Sequence, residues 1–239
     1  LETDRWQKVS VMTTRFRNRT EAGQLLAKKL TAYANREDVV VLGLPRGGVP
    51  VAFEVAKGLN APLDICLVRK LGVPGHKELA MGAIASGGVR VLNYDVVSWL
   101  NVSGKTIDKV AQTELRELQR RDRVYRGDRP TADVRNRTII LVDDGLATGS
   151  TMRAAVAVLR EQQPQSIVVA VPVAPLETCK ALSAEVDEVV CIMTPEPFYA
   201  ISLWYENFAQ TTDEEVRELL SDRLSAVRDE SLTGIQQGL

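Results

Sequence analysis

Three stretches of the chain have no room for a water-facing side. VVVLGL (residues 39–44), the IILV of RTIILVDD (residues 137–144) and SIVVAVPVA (residues 166–174) are continuous apolar runs rich in β-branched residues. A half-exposed strand alternates apolar and polar positions, whereas these must be covered on both faces. Each run ends in a turn and passes into a helical pattern: Val49 to about Leu59, Met152 to Gln162, and Pro175 to about Ala184. Leu63 to Val68 and Glu188 to Met193 add two shorter strands. The repeated order of strand, helix and strand predicts right-handed crossovers. The expected fold is therefore α/β, an open, mainly parallel twisted sheet flanked by helices.

The remaining segments are less regular. Asn18 or Thr20 can cap a first helix running to about Asn35, with Glu21 three residues after Asn18 as in a capping box. Residues 103–125 carry Ile107, Val110, Ala111, Leu115, Leu118 and Tyr125 at helical spacing behind Ser103 or Thr106. The charges there (Glu114, Arg116, Glu117, Arg120 and Arg121) read as a solvated face. Residues 69–92 are glycine-rich and weakly periodic, which predicts a long flexible loop with a two-stranded flap around Ala80–Ile84 and Val89–Leu92. Residues 194–210 concentrate aromatic side chains in an irregular hood. Thr212 with Glu215 starts a C-terminal helix that opens a tail over 213–239. The main domain is thus expected over 18–212, with 1–17 as an N-terminal extension.

Composition removes several functions. Thirty basic and 31 acidic side chains leave a net charge of −1, without the basic excess of a nucleic-acid coat. One histidine excludes a multi-His metal centre, and the three cysteines, Cys66, Cys179 and Cys191, contain no CxxC pair. Cys66 and Cys191 lie in apolar runs and read as buried thiols. No segment has the roughly 18 apolar residues of a membrane span, and the first residues lack a secretory apolar core. The expectation is a cytoplasmic protein with no nucleic-acid or membrane partner and a possible homodimeric assembly.

The segment from Ile139 to Thr151, IILVDDGLATGST, carries the chemistry. A buried strand delivers Asp143 and Asp144 to the edge of the sheet where ligands bind. The Thr-Gly-Ser-Thr turn that follows enters a helix, whose free N–H groups, hydroxyls and dipole suit a phosphate. Carboxylates beside a phosphate cradle would repel the anion, so they are better read as holding sugar hydroxyls or hydrated Mg2+. A phosphorylated ribose satisfies both halves. No Gly-Lys-Ser/Thr occurs, so this is not a P-loop.

VDDGLATGSTM resembles the 5-phosphoribosyl-1-diphosphate (PRPP) binding signature of type I phosphoribosyltransferases, and within them the group of unassigned acceptor. The order of elements over about residues 18–210 is similar to that fold. The resemblance implies that Asp143 and Asp144 meet the ribose hydroxyls with Mg2+ nearby. It implies that Gly145 and the turn Ala147, Thr148, Gly149, Ser150 and Thr151 bind the donor through its 5-phosphate. It also implies that Arg46, Gly47 and Gly48 in LPRGG hold pyrophosphate. A loop is expected to close over the donor, with Arg69, Lys70 and Lys77 supplying positive charge for the leaving pyrophosphate and with His76 as a proton carrier, a pyrophosphate ligand or simply an exposed loop residue. Phe198, Ile201, Trp204 and Tyr205 match the acceptor-stacking stretch, with core packing of Trp204 and Phe208 as the other reading.

Departures from the family pattern concern the acceptor. The third acid of hypoxanthine-guanine enzymes is replaced by Ala147, and Glu78 is only a candidate for the loop Glu of adenine enzymes. The expected activity is Mg2+-dependent transfer of the phosphoribosyl group of PRPP to a base-like small molecule. A PRPP-binding regulator without turnover is the alternative, and hydrolysis or phosphorolysis of a nucleotide a third.

Overall fold

A computed structural model describes residues 15–223. Its centre is a five-stranded sheet in the order β2-β1-β6-β7-β8. The strands are β1 (Val39–Gly43), β2 (Leu63–Ile65), β6 (Thr138–Val142), β7 (Ser166–Val173) and β8 (Glu188–Met193). Every pairing in this sheet is parallel. Helices α1 (Arg19–Lys29), α2 (Gly48–Leu59), α4 (Gly104–Arg126), α5 (Ser150–Arg160), α6 (Leu176–Ser183) and α7 (residues 213–223) surround it. Among the described residues, no helix is long and apolar enough to cross a membrane.

The unbroken apolar runs are explained by two cores. Val39, Val41, Ile140, Val142, Val168 and Ala170 pack on one face with α2, α4 and α7. Val40, Leu42, Ile139, Leu141, Ile167, Val169 and Val171 pack on the other with α5 and α6. Period-2 geometry sends alternate residues into opposite cores, so both parities must be apolar. Cys66 and Cys179 are buried and Cys191 is half-buried; burial pushes the Cys66 thiol up to about 12.

Residues 68–92 contain the expected two-stranded flap, since Gly82, Ala83 and Ile84 pair with Leu92, Val91 and Arg90, but they correct the expected long loop around it. They form a three-stranded antiparallel sheet of β3 (Val68–Val73), β4 (His76–Ala85) and β5 (Arg90–Leu92), followed by a helix α3 (Tyr94–Trp99) with no counterpart in the sequence reading. This small sheet is packed rather than loose. Ala83 and Ala85 lie with Val158 of α5, while Leu71 and Met81 are fully buried in the first core. The glycines that mimic a loop are used elsewhere: Gly75, Gly87 and Gly88 turn the hairpins with positive φ, and Gly82 sits where a side chain would strike Val91 O at 2.2 Å. β2 ends at Ile65, earlier than Val68, because Val68 opens the second sheet.

The two ends of the described residues are tied into the same body. Phe16, placed by sequence in the extension, is 3% exposed and bridges Tyr205, its N–H donating to Trp204 O at 2.9 Å. α1 stops at Lys29, before a short 3-10 turn at Thr31–Tyr33, and Asn18 caps it by accepting from Glu21 N–H. Thr212 and Glu215 form a reciprocal capping box at α7. Val216 and Leu220 carry α7 into the first core.

Candidate functional site at the carboxyl edge of the sheet

β1 runs on to β2 on one side and lies against β6 on the other. The loops after β1 and β6 therefore leave the sheet in opposite senses and open a crevice, the usual ligand position in open parallel sheets. The loop after β1 contributes Arg46, Gly47 and Gly48; the loop after β6 contributes Asp143 to Thr151. Leu44 N–H donates to Val142 O at 2.9 Å, so the two loops start in register. The Pro45–Arg46 peptide bond is cis.

The loops touch closely. A Cβ on Gly47 would lie 2.0 Å from Asp144 Oδ2, and one on Gly48 would lie 2.8 Å from Val142 O. Only glycine permits this approach of backbone to carboxylate. The anion-binding character expected of LPRGG and the carboxylate pair thus share one crevice. Arg46 itself is half-exposed and lies 3.7 Å from Asp213 at the start of α7. Asp213 also accepts from Tyr125 Oη–H at 2.7 Å.

Asp143 and Asp144 follow the last residue of β6. Asp143 Oδ1 accepts from Asp144 N–H at 2.8 Å. Asp144 is 8% exposed and accepts at Oδ2 from Arg19 Nε–H at 2.9 Å, with a terminal nitrogen of Arg19 in ion-pair contact at 2.8 Å. Burial holds both carboxyls above their ordinary range; the charge of Asp144 raises Asp143 further, while Arg19 partly offsets the rise at Asp144. Two adjacent carboxyls share one guanidinium in a confined place, so ionising both together is unfavourable without a further cation.

The turn after the pair enters α5. Gly149 has φ +70, and a Cβ there would meet Thr178 Cγ2 at 3.0 Å. Ala147 O accepts from Thr178 Oγ1–H at 2.8 Å, and Thr148 Oγ1 lies 3.3 Å from Ser150 Oγ. Ala147, Thr148 and Thr151 are exposed or nearly so and Ser150 is half-exposed, so the first turn of α5 presents its N–H groups and hydroxyls outward.

The flap separates the residues that sequence grouped together. Lys70 reaches this turn, its Nζ donating to Ser150 Oγ at 3.2 Å. Arg69, one residue away on β3, points to the opposite face and pairs with Glu114 of α4 at 2.6 Å. His76 is exposed beside the hairpin turn between β3 and β4. The side chains of Lys77 and Glu78 lie outside the described residues.

The hood is also divided. Tyr205 is 3% exposed, packs with Phe16 and Phe208, and donates to Asp144 O at 2.6 Å. It braces the carboxylate loop as part of the core. Ile201 Cγ2 lies where a Cβ on Gly145 would come within 2.8 Å, so Ile201 leans over the start of the turn. Phe198, Ile201 and Trp204 remain partly exposed around the same cluster. Trp204 Nε1 is a buried donor without a partner among the described residues.

Arg19 is a site residue that the sequence reading does not contain. It sits at the start of α1, 125 positions from Asp144, and no local spacing links the two. A basic residue just after an N-cap, where acids are favoured, is the one available signal.

Known proteins agree with this architecture. A family model described as the phosphoribosyl transferase domain matches residues 16–202. Two Mycobacterium tuberculosis proteins, from strains CDC 1551 / Oshkosh and H37Rv and provisionally named phosphoribosyl transferases, are 49% identical over 201 residues. That match covers 84% of this chain and 45% of each relative, so the chain spans less than half the length of these curated relatives. The crystal structure of TT1426 from Thermus thermophilus superposes with a TM-score of 0.79 and 43% identity, covering 86% of this chain and 97% of that one. With its sheet order, its paired carboxylates after β6 and the turn that opens α5, the chain belongs to the phosphoribosyl transferase domain family.

Proposed function

We propose that this protein transfers the phosphoribosyl group of PRPP to a nitrogen of a base-like acceptor, releasing pyrophosphate in an Mg2+-dependent reaction. The observation that carries the reading is the shared crevice. The carboxylates Asp143 and Asp144 sit between a glycine loop that abuts them and a helix N-terminus reached by Lys70. A sugar flanked by two phosphate-bearing ends has the same order of groups.

In this reading the turn from Ala147 to Thr151 takes the 5-phosphate on backbone N–H groups, with Lys70 as its counter-charge. The carboxylates face the ribose hydroxyls. Gly47 and Gly48 offer N–H groups to pyrophosphate, and Arg46 can add a bidentate donor once it leaves Asp213. Phe198, Ile201 and Trp204 provide apolar surface for a flat acceptor.

The donor set fits Mg2+ in one particular way. Among the described residues no group of three or more His, Cys, Asp or Glu side chains is arranged around a metal. Mg2+ is commonly held by one or two carboxylates with water and substrate phosphates, and Asp143 and Asp144, adjacent and sharing one guanidinium, suit that role. When bound it would neutralise the departing pyrophosphate. The chain's own residues hold the two reactants in line and exclude water. The C1–O bond to pyrophosphate breaks with its electron pair, and the acceptor nitrogen forms the new bond to C1. No acid stands at Ala147 to receive the nitrogen's proton, which passes to pyrophosphate or water.

The test is pyrophosphate release from PRPP and Mg2+ across a panel of purines and pyrimidines. Turnover with any base supports transfer. Tight PRPP binding with no turnover favours the regulator, the second reading motivated by the missing acid at Ala147.

A further inference from the structure

Arg19 lies where three parts of the site meet. Its Nε donates to Asp144 Oδ2 at 2.9 Å, and one terminal nitrogen lies in an ion pair with the same oxygen at 2.8 Å. Its other terminal nitrogen donates to Ala209 O at 2.7 Å. Its guanidinium carbon lies 3.9 Å from the centre of the Phe208 ring. A Cβ on Gly47 would come within 3.2 Å of the nitrogen that holds Asp144. The side chain is only 12% exposed, so these contacts are made largely out of water.

The polypeptide from Tyr205 to Ala209 consequently hangs from Asp144 at two points. Tyr205 Oη donates to the Asp144 main-chain oxygen at 2.6 Å. Arg19 links the Asp144 side chain to Phe208 and Ala209. Ile201 and Trp204 precede this stretch directly, and the N–H of Phe16 donates to Trp204 O. The planar fork of arginine makes these contacts at once; a lysine ammonium has no comparable plane to stack and no fixed pair of directions.

We propose that Arg19 is a positioning residue that sets Asp144 and the hood together. Oδ2 of Asp144 is committed to Arg19, which leaves Oδ1 and the neighbouring Asp143 to meet the donor. The same guanidinium seats the segment carrying the acceptor-facing side chains. Donor and acceptor halves are thereby assembled through one side chain. This inference rests on the phosphoribosyl reading for the ligand it names, but not for the mechanical link.

The experiment compares wild type with Arg19→Gln, Arg19→Lys and a remote control, Arg160→Gln, which breaks an exposed pair with Asp187. Hydrogen exchange of the amides of residues 198–209 is measured without ligand, and calorimetry is run with PRPP and Mg2+. Arg19→Gln is expected to speed hood exchange at least tenfold and to weaken PRPP binding at least tenfold, each tenfold being about 1.4 kcal/mol. Arg19→Lys recovers part of the affinity but little of the hood protection, and Arg160→Gln matches wild type in both. Guanidinium added to Arg19→Ala is expected to restore part of the affinity, which a general loss of folding would not allow. Unchanged exchange and affinity in Arg19→Gln overturn the inference, as does a change in one without the other. If wild type itself does not bind PRPP, the phosphoribosyl reading falls while hood exchange still decides whether Arg19 holds the segment.

Discussion

Gly47 is pressed against Asp144: a methyl group at residue 47 would sit 2.0 Å from the Asp144 Oδ2. The carboxylate has no retreat, because Arg19 holds that same oxygen. Gly47→Ala is therefore expected to displace either the anion loop or the carboxylate by about 1 Å, and misplacements of that size cost on the order of 100-fold in turnover. Gly104→Ala is the control, since nothing lies within 4 Å of a Cβ there. Steady-state kcat/KM for PRPP on the two variants decides between them.

Adjacent residues on the flap should behave differently. Lys70 reaches Ser150, whereas Arg69 turns to Glu114. Lys70→Met is expected to raise KM for PRPP by about tenfold, the equivalent of ~1.4 kcal/mol. Arg69→Gln should change it by less than about threefold, its half-exposed pair being worth ~1 kcal/mol or less and spent on the scaffold. Equal effects would mean that the flap turns over on binding.

Buried carboxylates without a ligand should cost stability. The ordinary value for each is 3.8, and both are raised in the folded protein. The native state then binds more protons than the unfolded chain, so stability falls as pH rises from near that ordinary value through the raised one. Asp143→Asn can still accept the Asp144 N–H while removing a charge. It is expected to be more stable than wild type in urea at neutral pH, with the gain shrinking as the pH falls towards the ordinary carboxylate range, and to lose PRPP binding.

Much of the fold and of the site is legible in sequence because it depends on local pattern. Unbroken apolar runs announce a sheet covered on both sides, and VDDGLATGST announces its own turn. The flap's two strands are legible, but the segment around them is misread as a loose loop because Gly82 is used for close strand packing and Gly75, Gly87 and Gly88 for hairpins, while composition alone reads all four as looseness. Tyr205 falls with the acceptor residues because aromatic clustering does not distinguish a ring that braces a loop from one that faces a ligand. Arg19 escapes a sequence reading because its partner is brought to it only by the tertiary fold.

The scaffold beneath the site has its own buried ion pair. Arg126 of α4 meets Asp64 of β2 at 2.8 Å, and Asp64 also accepts from Ala132 N–H. Asp122 also pairs with Arg126, so removing Asp64 leaves the guanidinium one carboxylate and orphans the Ala132 N–H; Asp64→Ala is expected to lower stability by about 1–3 kcal/mol. Urea unfolding at neutral pH measures this, and a loss under ~1 kcal/mol would mean that the guanidinium finds water.

The most direct measurement is calorimetric titration of PRPP with Mg2+ into wild type and into the double variant Asp143→Asn, Asp144→Asn. Saturable one-site binding in wild type and its loss in a folded double variant are the predicted results. Undiminished affinity in the double variant would contradict the placement of the donor between the carboxylates and the two anion loops.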